Sequence, residues 1–67
     1  MSLKEIAETA AMEAEERAIR RVLQSKGGNK SEAARLLRTD YKTLHLKIKQ
    51  YSIPVAQFRK SRSPSPA

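Results

Sequence analysis

The sequence contains no cysteine and no tryptophan, and it has only two glycines and three prolines in 67 residues. Without cysteine, neither a disulfide nor a cysteine-ligated zinc ion can stabilise the fold. Two Tyr and one Phe are the only aromatic residues, which leaves little material for a large core. A single domain of this size buries only about 60% of its unfolded surface and is marginally stable alone. Oligomerisation is therefore the expected source of additional stability.

The sequence also lacks a long hydrophobic run and a signal peptide. A membrane-spanning helix needs about 18 consecutive apolar residues, and no stretch approaches that length. The single histidine, His45, belongs to no Ser/His/Asp arrangement and to no pair of metal ligands. We therefore expect a soluble, cytoplasmic protein with no catalytic residue, no metal site and no cofactor.

Acidic residues are scarce beyond the start of the chain. Residues 1–16 carry one lysine and five glutamates, a net charge of −4. Residues 17–67 carry thirteen Lys or Arg and two acidic residues, a net charge of +11. This division suggests one segment that contacts protein and another that contacts a polyanion. The alternative is that the basic residues only solvate the surface.

Residues 1–26 are predicted to form one long helix. Ser2 and Glu5 fit a capping box, and no Gly or Pro interrupts the good helix formers up to Lys26. Small apolar residues recur every three or four positions along it. Because small side chains let two helices approach closely, we interpret this surface as a dimerisation face; the alternative is packing within one chain. The predicted face consists of Ile6, Ala7, Ala10, Ala11, Ala14, Ala18 and Val22.

Two short helices are predicted after the Gly27-Gly28 pair, a typical helix end. They run from Lys30 to residue 37 or 38, capped by Asn29, and from Tyr41 to Tyr51, capped by Asp40. Helices joined by so short a turn cross steeply, as in a helix-turn-helix. The predicted core consists of Ala33, Ala34, Leu36, Leu37, Leu44, Ile48 and Tyr51. The remaining residues 54–67, rich in Pro, Ser and basic residues, are predicted to be a disordered tail.

The outer face of the third helix is basic and polar. At 100° per residue, four side chains point away from Leu44 and Ile48, with Thr43 and Gln50 at the margin. The four are Lys42, His45, Leu46 and Lys49. Such a helix fits the major groove of double-stranded DNA, with its N-terminal residues reaching base edges. Lys30 opens the second helix, where backbone N–H groups favour a phosphate. The residues predicted to face DNA from the third helix are Tyr41, Lys42, Thr43, His45, Leu46 and Lys49.

The stretch GGNKSEAARLL…DYKTLHLKIKQYSI resembles the Fis-type helix-turn-helix at the C-terminus of NtrC-family bacterial enhancer-binding proteins. The resemblance covers residues 27–53, with the long upstream helix at the position of the family's dimerisation helix. Arg38 stands where the family usually has a turn glycine, so it needs either a positive φ or a differently shaped turn. By residue-by-residue match, the resemblance implies DNA-backbone contacts from Asn29, Ser31, Thr43, Lys47 and Lys49. Lys30 is also expected to contact the DNA backbone, because it opens the second helix.

The resemblance implies an all-α homodimer that holds two recognition helices about one DNA turn apart. It divides the chain into a dimerisation helix (residues 1–26), a helix-turn-helix (27–53) and the tail (54–67). In that family the domain follows an ATPase that acts on the sigma-54 RNA polymerase, and this sequence contains no Walker A motif of its own.

Three functions remain open at this point. The first is the DNA-binding domain of an NtrC-type transcription regulator, which would meet the sigma-54 machinery through upstream domains. The second is a free-standing Fis-like protein that bends DNA. The third, of a different class, is a helical module whose basic helix binds an acidic protein.

Overall fold

The computed structural model describes residues 1–60, which fold into four α-helices. In chain order they are α1 (Leu3–Ser25), α2 (Lys30–Leu36), α3 (Tyr41–Gln50) and α4 (Val55–Lys60). The all-α class predicted from the sequence is confirmed. No helix within residues 1–60 has both the length and the apolar composition needed to cross a membrane.

Helix α1 begins and ends where its local signals predicted. The Ser2 hydroxyl accepts from the Glu5 N–H at 3.1 Å, and the Ser2 N–H donates to the Glu5 carboxylate at 3.1 Å. This capping box satisfies two N–H groups that have no partner within the helix. At the other end, the Gly28 N–H donates to the Leu23 carbonyl at 2.8 Å. Gly28 has a φ of +82°, which L side chains rarely adopt.

Both predicted N-caps of the helix-turn-helix are confirmed. The Asn29 side chain accepts from the Glu32 N–H at 3.1 Å at the start of α2. The Asp40 carboxylate accepts from the Thr43 N–H at 3.0 Å at the start of α3. Each cap satisfies a backbone donor that the first helical turn leaves free, which explains why two helices begin so close together in the chain.

The turn between α2 and α3 contains a left-handed arginine. Arg38 has a φ of +55°, its N–H donates to the Arg35 carbonyl at 3.2 Å, and the next N–H, of Thr39, donates to the Ala34 carbonyl at 3.0 Å. Glycine is usual at such a position because it lacks a Cβ. Ser52, with a φ of +54°, follows the end of α3 in the same way. Of the two outcomes expected for Arg38, the structure therefore has the positive φ.

One apolar core joins the last part of α1 to the three shorter helices. Its buried residues are Ile19, Leu23, Ala33, Ala34, Leu44, Ile48 and Ile53, with Val22, Leu37, Tyr51, Val55 and Phe58 packed against them. The two alanines of α2 are almost fully buried, so α2 lies close to its neighbours, as predicted. This core fixes how α3 crosses the rest of the molecule.

Leu36 is not part of the core, contrary to the prediction. Its side chain is 56% exposed, whereas Ala33, Ala34 and Leu37 face the neighbouring helices. At 100° per residue those three positions share one arc of α2, and Leu36 falls outside it. In a helix of only seven residues, the crossing angle decides which leucine is covered.

The prediction of a disordered tail from residue 54 onward is wrong for residues 55–60. These residues form α4, in which Val55 and Phe58 pack against the core. Their spacing of three positions places both on one face of a helix, and Pro54 precedes it, where its restricted φ is compatible with a helix start. The rest of that predicted tail, residues 61–67, lies outside the described residues.

The first half of α1 contributes nothing to this core. Every residue from 1 to 14 is exposed, and the first partly buried position is Glu15. A helix of 23 residues is about 35 Å long, so more than half of α1 extends away from the other helices.

Candidate nucleic-acid interface

Helix α3 presents a polar face directly opposite its buried one. Leu44 and Ile48 are 1% and 6% exposed, while Leu46 is 62% exposed and Lys42 and Lys49 also face solvent. The structure thus brings three of the predicted DNA-facing side chains onto one open surface. A helix held by one side in this way can enter a groove with the other.

Three further side chains form a cluster where the start of α2 meets α3. The rings of Tyr41 and His45 lie 6.0 Å apart at an interplanar angle of 13°. The Lys30 ammonium lies 3.5 Å from Nδ1 of His45 and 5.9 Å from the centre of the Tyr41 ring. Because an ammonium can only donate, this contact requires Nδ1 to accept, and the ring proton is then on Nε2. Lys30 therefore joins the predicted phosphate-binding start of α2 to the predicted recognition helix.

The N-terminus of α3 carries a fixed negative charge. Hydrogen bonds from the Thr43 hydroxyl at 2.8 Å and from the Thr43 N–H hold the Asp40 carboxylate and lower its pKa below the usual range. The Thr43 side chain is therefore engaged in capping. Asp40 remains ionised at neutral pH and therefore repels an anion from this end of α3.

Two of the predicted backbone contacts occupy the start of α2 as expected. Ser31 is exposed, and the Asn29 amide oxygen accepts the capping hydrogen bond while its amide nitrogen keeps its donors.

Lys47 does not lie on this face, although it was predicted to contact DNA. Its ammonium donates to the Glu15 carboxylate at 3.0 Å, and the Tyr51 hydroxyl donates to the same oxygen. The hydrogen bond from Tyr51, and to a lesser extent that from Lys47, lowers the pKa of Glu15. The hydrogen bond to Glu15 in turn raises the pKa of Tyr51. The three side chains fasten the C-terminal half of α3 onto α1. Lys47 thus positions α3 from the side that faces α1.

The predicted dimerisation residues lie apart from this interface, five of them on the exposed first half of α1 and two, Ala18 and Val22, on its second half. Ile6, Ala7, Ala10, Ala11, Ala14 and Ala18 are exposed, and Val22 is half-buried against the core. The larger apolar residues Ile19 and Leu23, further along the same helix, are taken up by the chain's own core.

Sequence reasoning missed one element near the interface. Helix α4 places Arg59 against Gly28, two residues before Lys30. The signal that predicts this helix is Pro54 followed by the apolar residues Val55 and Phe58. The many Ser, Pro and basic residues that follow Phe58 pointed instead to a disordered tail.

An all-α chain with two short capped helices crossing at a tight turn, and a basic face on the second of them, defines a helix-turn-helix DNA-binding domain. Residues 10–51, well over half of the chain, match the family model described as bacterial regulatory protein, Fis family. The chain belongs to this family of DNA-binding domains, and it is not an enzyme. Searches of curated proteins and of solved structures each gave no significant match.

Proposed function

We propose that this domain binds double-stranded DNA as a homodimer with a preferred sequence, and that α3 lies in the major groove. The observation that carries the proposal is the exposed Lys42–Leu46–Lys49 face, opposite the buried Leu44 and Ile48. The family match supports DNA as the partner. A basic helix that bound an acidic protein would not need this rigid presentation on the second helix of a helix-turn-helix.

The side chains divide into two roles. Lys42 and Lys49, as exposed cations on the flanks of α3, bind phosphates and set the orientation. Leu46 offers an apolar contact to a thymine methyl group, and His45 offers a donor through Nε2. Tyr41 stacks on His45 and thereby limits its motion.

The free half of α1 supports the homodimer. The apolar residues of this half face solvent. The charges of the whole of α1 are self-complementary in the antiparallel direction only. Residues 1–16 carry a net charge of −4, whereas residues 17–26 carry three Arg and one Lys without an acidic residue. Antiparallel pairing places the acidic half of each helix beside the basic half of its partner, whereas parallel pairing places like charges together. We therefore propose an antiparallel α1 pair about a two-fold axis.

Such a dimer presents two α3 helices to one face of the duplex. Half-sites separated by about one helical turn, roughly 34 Å, and related as a palindrome are expected. Within the Fis family we assign the domain to an NtrC-type regulator that contacts the sigma-54 machinery through other domains. The support is the sequence resemblance over residues 27–53, and the genes encoded around this domain test that assignment.

Selection of bound duplexes from a random pool tests sequence preference and symmetry together. We expect a palindromic site with half-sites about one turn apart. A pool that shows no enrichment would contradict sequence preference, and a single asymmetric half-site would contradict the dimer. If a dimer contacts about 6–10 phosphates, its affinity falls about 10³–10⁵-fold between 50 and 200 mM salt.

Substitution of Lys42 separates phosphate binding from base reading. Lys42→Ala is expected to weaken binding to the selected site and to a scrambled duplex by the same factor, because a phosphate contact carries no sequence information. Arg35→Ala, which removes the same charge from a side chain on α2 that is 82% exposed, is the matched control. Loss confined to the selected site would assign Lys42 to a base instead.

A further inference from the structure

Helix α4 lies outside the segment that matches the family and is built onto the turn that leads into the helix-turn-helix. The match ends at residue 51, and α4 spans Val55–Lys60. A Cβ added to Gly28 would lie 2.7 Å from Cγ of Arg59 and 3.2 Å from the Val55 carbonyl oxygen. The absence of a side chain at Gly28 therefore allows α4 to pack directly on the α1–α2 turn.

This packing brings Arg59 to the edge of the DNA-facing surface. Gly28 is two residues before Lys30, a distance of at most about 7 Å along the chain. Lys30 in turn contacts His45 on α3. The Cγ of Arg59 therefore lies close to the place where the start of α2 meets α3.

The Arg59 side chain is free to bind an anion there. The residue is exposed, and none of the ion pairs among residues 1–60 involves it. Its Cγ and its backbone nitrogen lie against Gly28, and the guanidinium group begins two bonds beyond that Cγ. A planar guanidinium with five donors suits the oxygens of a phosphate, which it can bind through two parallel hydrogen bonds.

We propose that Arg59 binds a DNA backbone phosphate that flanks the site contacted by α3, so that the DNA interface extends beyond the helix-turn-helix onto α4. The inference rests on the proposed DNA binding and adds to it a contact that the family segment does not contain. The purpose of α4 is then twofold: it covers the core with Val55 and Phe58, and it holds a cation beside the duplex.

The salt dependence of DNA binding by the full chain tests this contact. Each phosphate contact contributes about 0.9 to the slope of log affinity against log salt. Arg59→Gln keeps the Cγ that packs on Gly28 and removes the charge. The slope is expected to fall by about 1.8 for a dimer, so that the wild type loses roughly tenfold more affinity than the variant between 50 and 200 mM salt.

Two further variants separate a local contact from a general charge effect. Arg59→Lys retains the charge and is expected to keep the wild-type slope. Arg35→Gln lowers the net charge equally, from a side chain on α2 that is 82% exposed, and is also expected to keep it. An equal loss of slope in Arg35→Gln and Arg59→Gln would overturn the proposal, as would a wild-type slope in Arg59→Gln.

Ethylation of individual phosphates locates the contact on the DNA. Ethylation of one phosphate outside the base pairs of each half-site is expected to weaken the wild type and to have no effect on Arg59→Gln. Identical interference patterns for the two proteins would overturn the assignment of Arg59 alone. Absence of any binding by the wild type at low salt would overturn the proposed DNA-binding function as well, so the two failures are distinguishable.

Discussion

The two halves of α1 have the same backbone conformation and opposite surroundings. Residues 3–14 are exposed throughout, whereas the second half contains Ile19 and Leu23, which are 3% and 0% exposed. Both halves consist of good helix formers, so local propensity does not distinguish them. The helical pattern therefore predicts the helix, while the neighbours of each face decide where its stability comes from. The second half is stabilised by its own chain, and the first half exposes an apolar surface suited to a partner.

The largest expected effect comes from shortening a buried side chain in the second half of α1. Leu23→Ala is expected to lower the free energy of unfolding by about 2–5 kcal/mol, because it leaves a cavity in a fully buried position. Leu3→Ala, at a position 85% exposed, is the matched control and should change the stability of the monomer by less than about 0.5 kcal/mol. Urea unfolding at low protein concentration measures both. Equal effects would mean that the two halves do not differ as described.

A charge placed on the free half tests whether it pairs with a second chain. Ala11→Glu is expected to weaken dimerisation at least tenfold, or about 1.4 kcal/mol, because an unpaired carboxylate would be buried between the two helices. Thr9→Glu adds the same charge to an exposed position on the opposite side of α1. Sedimentation equilibrium measures the association constants. A wild-type constant for Ala11→Glu would show that this face is not the dimer contact.

A third prediction compares how the helices end. Helix α1 is followed by glycines, but α2 and α3 are followed by Arg38 and Ser52 at positive φ. Arg38→Gly is expected to raise the free energy of unfolding by about 0.5–1 kcal/mol. The left-handed conformation costs a side chain about 1–2 kcal/mol, and part of that gain is offset because glycine is more flexible in the unfolded state.

Ser52→Gly is the parallel test at the end of α3, and thermal unfolding followed by circular dichroism measures both variants. Destabilisation of Arg38→Gly would show that the arginine side chain contributes more to folding than its backbone costs.

The smallest expected effect concerns Glu15, which lies at the boundary between the two halves. Its pKa is lowered by Tyr51 and Lys47, so its contribution to stability is fully present above the unfolded-state value of about 4.5. The contribution is lost as the pH falls through the lower folded-state pKa. Partly exposed ion pairs contribute only about 0.2–1 kcal/mol.

Glu15→Gln should therefore lower the thermal midpoint near pH 7. Between pH 5 and pH 3 the thermal midpoint of this variant should fall less steeply than that of the wild type. A double-mutant cycle with Lys47→Met isolates the ion pair from the tyrosine contact. A decline in Glu15→Gln identical to that of the wild type would show that other carboxylates account for it.

Short-range signals in the sequence predicted the helices well. The caps at Ser2, Asn29 and Asp40 form as expected, since each hydrogen bond joins residues only three positions apart. The outward direction of Lys42 and Lys49 was also predicted, because helical periodicity relates it to Leu44 and Ile48 within the same helix.

The errors concern contacts between distant parts of the chain. Lys47 was predicted to contact DNA because its position matches the family pattern, but its partner Glu15 is 32 positions away. Leu36 was predicted to be buried, and its exposure depends on the angle at which α2 crosses α1 and α3. The segment after Pro54 was predicted to be disordered because of its polar composition. It folds because Val55 and Phe58 pack on a surface that the other helices form, which the segment's own composition does not reveal.

The sequence by itself determined an all-α chain, the starts of its first three helices and the basic outer face of α3, because these follow from hydrogen bonds and periodicity over a few residues. Only the tertiary structure decided that half of α1 is left uncovered, that Lys47 faces inward and that α4 brings Arg59 to Gly28. Each of these depends on the relative placement of helices, which is set by packing across the whole core and not by any one segment.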